Sequence, residues 1–358
     1  PPDALLLTHA HLDHYGLLPH VRPGIPVYSS QGTKSIVKLT ETFIQPQFDH
    51  TRITSVDAFA PFKIGSITAT PYLVDHSAFG AFAWMLEAGG KRIMYSGDLR
   101  AHGRKAKLFD LLLKKAPRDL DALLLEGTHL TDGQAPYRSE TAVENGFLDL
   151  AKKTPGLVVA FASGQNIDRI VSLYRAAIQA GRTFVIDIYV AHILRELGSQ
   201  ASLPQAEWDR IRVFYPYRLA RRWANEGFRH RLFGFKDRRL SRDELRAQPG
   251  KYLMLARSSM DDDLSRLNLK EAALVWSMWS GYLKEASSSG LRSLAQRVGI
   301  QIQTIHTSGH AEREDLQRLA KALQPKRLIP IHTFNADCYA DLFDNVVQIA
   351  DGRPLKMS

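Results

Sequence analysis

Cysteine is nearly absent: Cys338 is the only one in 358 residues. That excludes internal disulfides and zinc sites built from clustered thiolates, so any metal site must draw on histidine and carboxylate. No apolar run approaches the ~20 residues that a membrane-spanning helix needs. The opening Pro1-Pro2-Asp3 leads straight into an apolar strand and lacks the basic-then-apolar pattern of a secretory signal. These absences predict a cytoplasmic protein with no membrane partner. Internal repeats and low-complexity tracts are lacking too. Acids are in the minority, with 37 Asp and Glu against 47 Lys and Arg and a formal net charge of +10. Such a surplus favours a polyanionic partner without naming it. The remainder is ordinary: 44% hydrophobic and 23% charged residues, enough for one large or two ordinary domains.

What is present in excess is histidine at one place. Thr8-His9-Ala10-His11-Leu12-Asp13-His14 puts four metal-capable side chains within six residues, directly after the apolar run Ala4-Leu5-Leu6-Leu7. Imidazole nitrogen and carboxylate oxygen are ligands that zinc takes, and one ion could hardly use all four. A histidine-rich surface turn would account for two histidines, but not for His-x-His-x-Asp-His behind a buried strand. The nearness of this motif to residue 1 predicts supporting strands upstream, in a longer chain.

Residues 1–130 alternate short apolar strands with turns. Strands are expected at 27–28, 67–70, 81–86, 92–95 and 122–125, with Gly89-Gly90 as a hairpin turn and a helix over 33–43. From Ser139 the rhythm changes to a helix at 140–153, a strand at 157–161, a helix after Asn166 and a strand at 183–186. That alternation argues for a parallel sheet. Further strands are expected at 252–255 and 273–276, then a polar turn at 286–290. A strand at 301–305, a loop, a helix over 312–323 and a strand at 327–331 close the pattern and deliver His332. Residues 218–246 hold ten Lys and Arg against four acids, interleaved with Trp223, Phe228, Phe233 and Phe235. Such a mixture can hold a phosphate backbone and stack bases; an amphipathic helix with a solvated charged face explains it equally well.

The informative remaining residues sit where strands end. His76 follows Tyr72-Leu73-Val74, Asp98 follows Met94-Tyr95-Ser96-Gly97, and His332 follows Ile329-Pro330-Ile331. Strand exits share a rim on which distant segments converge. With the opening motif these make seven ligands, the inventory of a two-metal site that clamps both oxygens of a displacement. Nitrogen and oxygen ligation suits zinc, with manganese as the alternative.

These motifs resemble those of the β-CASP nucleases of the metallo-β-lactamase fold, and the resemblance runs from His9 to His332. His9, His11, Asp13 and His14 match the signature motif, His76 in Asp75-His76-Ser77 the third, and Asp98 in Ser96-Gly97-Asp98 the fourth. Glu126 in Leu125-Glu126-Gly127-Thr128 matches motif A, His310 in Ser308-Gly309-His310-Ala311 motif B, and His332 in Ile331-His332-Thr333 motif C. The resemblance implies an α/β protein, a metallo-β-lactamase αββα sandwich that is N-terminally truncated. Residues 1–137 would form the first part of the core, 138–292 an inserted β-CASP α/β domain, and 293–358 the returning segment. It implies two zinc ions, one held by His9, His11 and His76 and one by Asp13, His14 and His332, with Asp98 bridging. A bridging hydroxide would attack phosphorus. Ser308, Gly309 and His310 would bind the substrate phosphate, and His310, oriented by Glu126, would protonate the leaving oxygen.

A histidine at motif C resembles the RNA-processing branch, so the implied activity is a zinc-dependent ribonuclease acting on single-stranded RNA, in processing or decay. A DNA nuclease and a small-molecule hydrolase of the same fold are the rival enzymes; a non-catalytic RNA-binding scaffold has no need of seven ligands. No segment argues for or against an oligomer. One departure from the pattern is Thr333-Phe334, where an acid usually follows, which puts the support of His332 in question.

Overall fold

The computed structural model describes residues 2–44, 48–130 and 136–357. It divides into two compact units: Pro1–Gln134 with Gly309–Ser358, and Ala135–Ser308. The first unit opens with β1 (Leu5–Leu6), β2 (Val27–Ser29), β3 (Ile53–Ser55), β4 (Phe62–Ile64), β5 (Ile67–Leu73), β6 (Phe82–Ala88), β7 (Lys91–Tyr95) and β8 (Ala122–Glu126). The second holds β9 (Val158–Phe161), β10 (Thr183–Asp187), β11 (Ile211–Phe214), β12 (Arg239–Leu240), β13 (Tyr252–Ala256), β14 (Ala273–Trp276) and β15 (Ile302–Thr304). Strand β16 (Leu328–Ile331) returns to the first.

In the first unit β1, β2 and β3 make a parallel three-stranded sheet, and a six-stranded sheet runs in the order β16-β8-β7-β6-β5-β4. Strand β6 shows why the layers stack, since successive side chains of a strand point to opposite faces. Its Phe82 and Trp84 pack with Leu6 of β1 and Tyr28 of β2, which joins the two sheets. Its Ala83 and Met85 face the other way, onto Phe109 and Leu112 of helix Lys107–Lys115 and Leu316 and Leu319 of helix Arg313–Leu323. Helix Gln31–Ile44 lies along β3. The layers therefore follow the expected helix–sheet–sheet–helix order. Gly89 and Gly90 turn the β6–β7 hairpin with φ of 55° and 74°, the left-handed pair that a two-residue turn requires.

Strand direction creates the rim. β16, β8 and β7 pair in parallel, while β5 and β7 each run antiparallel to β6. All four thus end at the same edge, and there they release His76, Asp98, Glu126 and His332.

The second unit is an all-parallel sheet, β12-β11-β10-β13-β9-β14-β15. Strand β9 (Val158–Phe161) is apolar throughout and every residue of it is buried, because helices cover both faces of such sheets. Helix Glu140–Lys153 is capped by the Ser139 hydroxyl, which accepts from Ala142 N, and helix Ile167–Gln179 by Asn166. Arg169 and Glu140 form an interior ion pair at 3.0 Å, and Arg169 Nη1 also donates to Ser277 O at 2.6 Å.

Three expectations need correction. The returning segment begins at 309, not 293. The serine-rich turn at 286–290 runs into helix Ser289–Val298, whose Leu291 and Leu294 enter the second unit's core, and β15 pairs with β14 there. The aromatics of the basic stretch are not all available for stacking: Trp223 and Phe235 are buried, and Phe233 is exposed. Finally, β11 and the helices Lys107–Lys115 and Ile188–Leu197 were not anticipated.

Candidate metal centre

The opening motif is short and held by its neighbours. After β1 the chain bends, Phe82 N donates to Thr8 O at 2.9 Å, and one helical turn, Leu12–Tyr15, carries Asp13 and His14. His76 stands two residues beyond buried Val74 and next to Asp75, whose carboxylate receives Gly103 N at 2.8 Å and lies 3.5 Å from Arg100 Nε. Asp98 follows Gly97, whose φ is 55°; a Cβ there would stand 2.9 Å from Thr8 Cγ2 and Phe82 O. Glycine is required because the turn is both left-handed and packed.

The first donor group is His9, His11, His76 and Asp98. His9 Nε2 and His76 Nε2 each lie 3.2 Å from His11 Nδ1. Asp98 Oδ2 stands 3.6 Å from His9 Nε2 and 4.0 Å from His76 Nε2. Zinc–nitrogen bonds of about 2.0–2.1 Å in a tetrahedron put ligands about 3.4 Å apart, so the spacing fits a small cation. The tautomers fit as well. His76 Nδ1 donates to Gly309 O at 2.6 Å, and His9 Nδ1 meets Thr8 Oγ1 at 3.0 Å, which turns both Nε2 lone pairs inward.

The second group is Asp13, His14 and His332, with Asp98 again adjacent. His14 Nε2 is 3.0 Å from Asp98 Oδ2 and 3.6 Å from Asp13 Oδ2. His332 Nε2 lies 3.3 Å from Asp13 Oδ2, and its Nδ1 3.7 Å from Asp98 Oδ1. Asp98 Oδ1 is buried without a hydrogen-bond partner, and such an orphaned atom is uncommon unless a ligand takes it. All seven expected ligands thus gather in the first unit, in two groups sharing one carboxylate.

Glu126 and His310 adjoin them. His310 Nδ1 lies 3.1 Å from Glu126 Oε2 and 3.9 Å from Asp98 Oδ2. Glu126 is fully buried, and its other oxygen receives Leu99 N at 3.0 Å and Ala311 N at 3.4 Å. Gly309 serves chiefly as the carbonyl that orients His76, while Ser308 is buried and belongs to the second unit.

Comparison with known proteins agrees with this geometry. The Beta-lactamase superfamily domain matches residues 1–155, and the Zn-dependent metallo-hydrolase RNA specificity domain matches residues 296–344. Residues 1–155 are thus similar to a domain of the beta-lactamase superfamily. Similar proteins include ribonuclease J of Mycolicibacterium smegmatis, 24% identical over 92% of this chain and 58% of that protein. Ribonuclease J of Mycoplasma genitalium is 24% identical over 92% of this chain and 57% of that protein. Ribonuclease TTHA0252 of Thermus thermophilus is 32% identical over 42% of this chain and 37% of its own length. The chain therefore spans about 58% of the ribonuclease J relatives it matches. A protein of unknown function from Enterococcus faecalis V583 shares the fold, with a TM-score of 0.76 at 21% identity over 98% of this chain and 79% of that one.

Three of the histidine donors are already in their binding forms. Burial holds His9 and His76 well below the ordinary histidine range and lowers His11 to about 4, so all three are neutral lone-pair donors at neutral pH. Burial alone would raise Asp98, but His14 and the surrounding histidines hold it well below the usual carboxylate range. The hydrogen bond from His332 depresses Asp13, and the same bond raises His332; the proton between them is one that a cation would displace. His310 differs. Burial would lower it, yet the charge and hydrogen bond of Glu126, aided by Asp98 and Asp13, push it up to about 9.

Sequence reasoning missed the groups that orient the candidate ligands. Thr8 stands between His9 and His14, 3.0 and 3.4 Å from their Nδ1 atoms. Thr128 Oγ1 lies 2.8 Å from His332 Nδ1 and donates to His332 O at 3.2 Å. Phe334, which replaces the usual acid, is fully exposed, and Thr128 supplies the support expected from it. The signal was present in Thr8 opening the first motif and Thr128 closing motif A.

Proposed function

We propose that this chain is a zinc-dependent ribonuclease that hydrolyses phosphodiester bonds of single-stranded RNA. His9, His11 and His76 would hold one ion, and Asp13, His14 and His332 the other, with Asp98 shared. When bound, two such ions supply Lewis acidity and an acidified water to an in-line displacement. The observation that carries the reading is the His310–Glu126 pair, Nδ1 to Oε2 at 3.1 Å on a fully buried carboxylate, set 3.9 Å from the shared Asp98. A cation there can bind a scissile phosphate and pass its Nε2 proton to the leaving oxygen, while Glu126 retains the Nδ1 proton and fixes the ring. A hydrolase of neutral small molecules has no need of a carboxylate-held imidazole beside its metal donors. RNA is favoured over DNA by the RNA specificity domain matched at 296–344 and by the ribonuclease relatives.

The deciding experiment is a time course on end-labelled RNA and sequence-matched DNA oligonucleotides, with and without chelator and with added zinc or manganese. RNA should be cleaved in preference to DNA, and chelation should stop the reaction. Asp13→Ala alters an exposed side chain and should abolish cleavage while leaving the fold intact. Full cleavage by that variant, chelator resistance or a preference for DNA would each reject the reading.

A further inference from the structure

We propose that the second unit carries its own binding surface for the phosphate backbone of single-stranded RNA. It centres on a cavity of about 700 Å³ beside helices Tyr217–Asn225 and Arg229–Phe233. The proposal rests on the ribonuclease reading only for the identity of the polyanion.

Six cations line this cavity, Arg229, Lys236, Arg239, Arg242, Arg246 and Arg266, against one acid, Asp243. Some of them have structural duties: Arg242 pairs with buried Asp263, and Arg246 with Asp243 at 3.3 Å. Among the described residues, Arg229, Lys236 and Arg266 make no ion pair. These three come from separate segments: helix Arg229–Phe233, the 3-10 turn Lys236–Arg238 and the chain just beyond helix Asp261–Leu264. A solvated helix face explains cations along one helix. It does not explain convergence from three segments onto one concavity, where like charges repel unless an anion enters. A second cavity of about 570 Å³ shares Arg242 and Arg266 and adds Arg218, Arg221 and Arg222, with Glu226, Asp262 and Asp263 pairing Arg222, Arg218 and Arg242 there.

The aromatic residues narrow the ligand class. Tyr217 and Phe233 line the same cavity and are 52% and 60% exposed. Exposed rings beside unpaired cations suit a strand whose bases can stack while its phosphates are gripped. An acidic protein segment would use the cations and leave the rings idle.

The test is binding of a fluorescein-labelled oligo(U) to the full chain in chelator, titrated over a range of salt concentrations. The Arg229→Ala/Lys236→Ala/Arg266→Ala variant alters exposed side chains only, and its fold is checked by thermal melting. It should bind at least about tenfold more weakly at low salt, with the slope of log Kd against log salt flattened by about 2, three phosphates at ~0.7 each. Phe233→Ala should weaken binding with the slope unchanged. A triple variant with wild-type Kd and slope would overturn the proposal, as would polyglutamate competing as well as unlabelled oligo(U). The two readings fail separately. RNA held by the patch without zinc-dependent cleavage leaves the surface standing and removes the ribonuclease; cleavage with an unaffected triple variant does the reverse.

Discussion

Thr128→Val tests the assignment of His332 most sharply, because it removes one hydroxyl and conserves the shape. Two hydrogen bonds are lost, 2.8 Å to the ring and 3.2 Å to the backbone carbonyl of His332. The carbonyl bond matters because His332 sits at φ 49°, a left-handed conformation that costs a non-glycine residue about 1–3 kcal/mol and persists only where its surroundings hold it. At about 1 kcal/mol net for each bond, full loss would reach about 2 kcal/mol, or thirtyfold. His332 is about one-third exposed, so water replaces part of this, and about tenfold is expected, at the low end of the usual effect of such supporting groups. The assay is zinc titration against a chromophoric chelator, paired with cleavage of single-stranded RNA. On the two-ion proposal, the zinc equivalent assigned to His332 should weaken about tenfold and the one assigned to His9, His11 and His76 should not change. Equal weakening of both, or wild-type affinity with wild-type kcat, would refute the orienting role.

Glu126→Gln should move the alkaline limb of the pH–rate profile downward. A raised histidine keeps its proton until the pH passes its pKa, about 9 for His310, and without the Glu126 charge the proton leaves at lower pH. Activity should fall far more at pH 8 than at pH 6, and parallel profiles for the two proteins would sink the assignment. Arg169→Met would strip buried Glu140 of its guanidinium partner, at a cost of about 3–5 kcal/mol; a urea-unfolding midpoint matching wild type would contradict the interior ion pair seen at 3.0 Å.

Much of the centre is local information. His-x-His-x-Asp-His sits on a single turn, and its chemistry follows from composition and spacing. The strands that deliver His76, Asp98, Glu126 and His332 announce themselves as apolar runs ending in one polar residue. Helix Glu140–Lys153 was legible because a serine caps it and its apolar residues recur at helical spacing. Failures came where local and tertiary preferences diverge. Strand β11 carries Arg212, whose Nη2 donates to Arg239 O at 2.6 Å, so a charged residue interrupts its apolar run. The serine cluster at 286–290 imitates a linker, yet it runs directly into a helix that the core of the second unit holds.

By itself the sequence determined the ligand types, the alternation of elements and the excess of positive charge, because each depends on residues close together in the chain. Only the tertiary structure decided which candidate ligands stand together, that Asp98 faces both groups, and that Thr8, Thr128 and Gly309 adjoin the imidazoles. Those facts depend on atoms placed to within a few tenths of an ångström across separations such as 233 residues between His76 and Gly309. Sheet register and packing set such distances; no local pattern encodes them. The basic stretch divides the same way. Its charge was written in the sequence, while the burial of Trp223 and the meeting of Arg229, Lys236 and Arg266 at one cavity came from the fold.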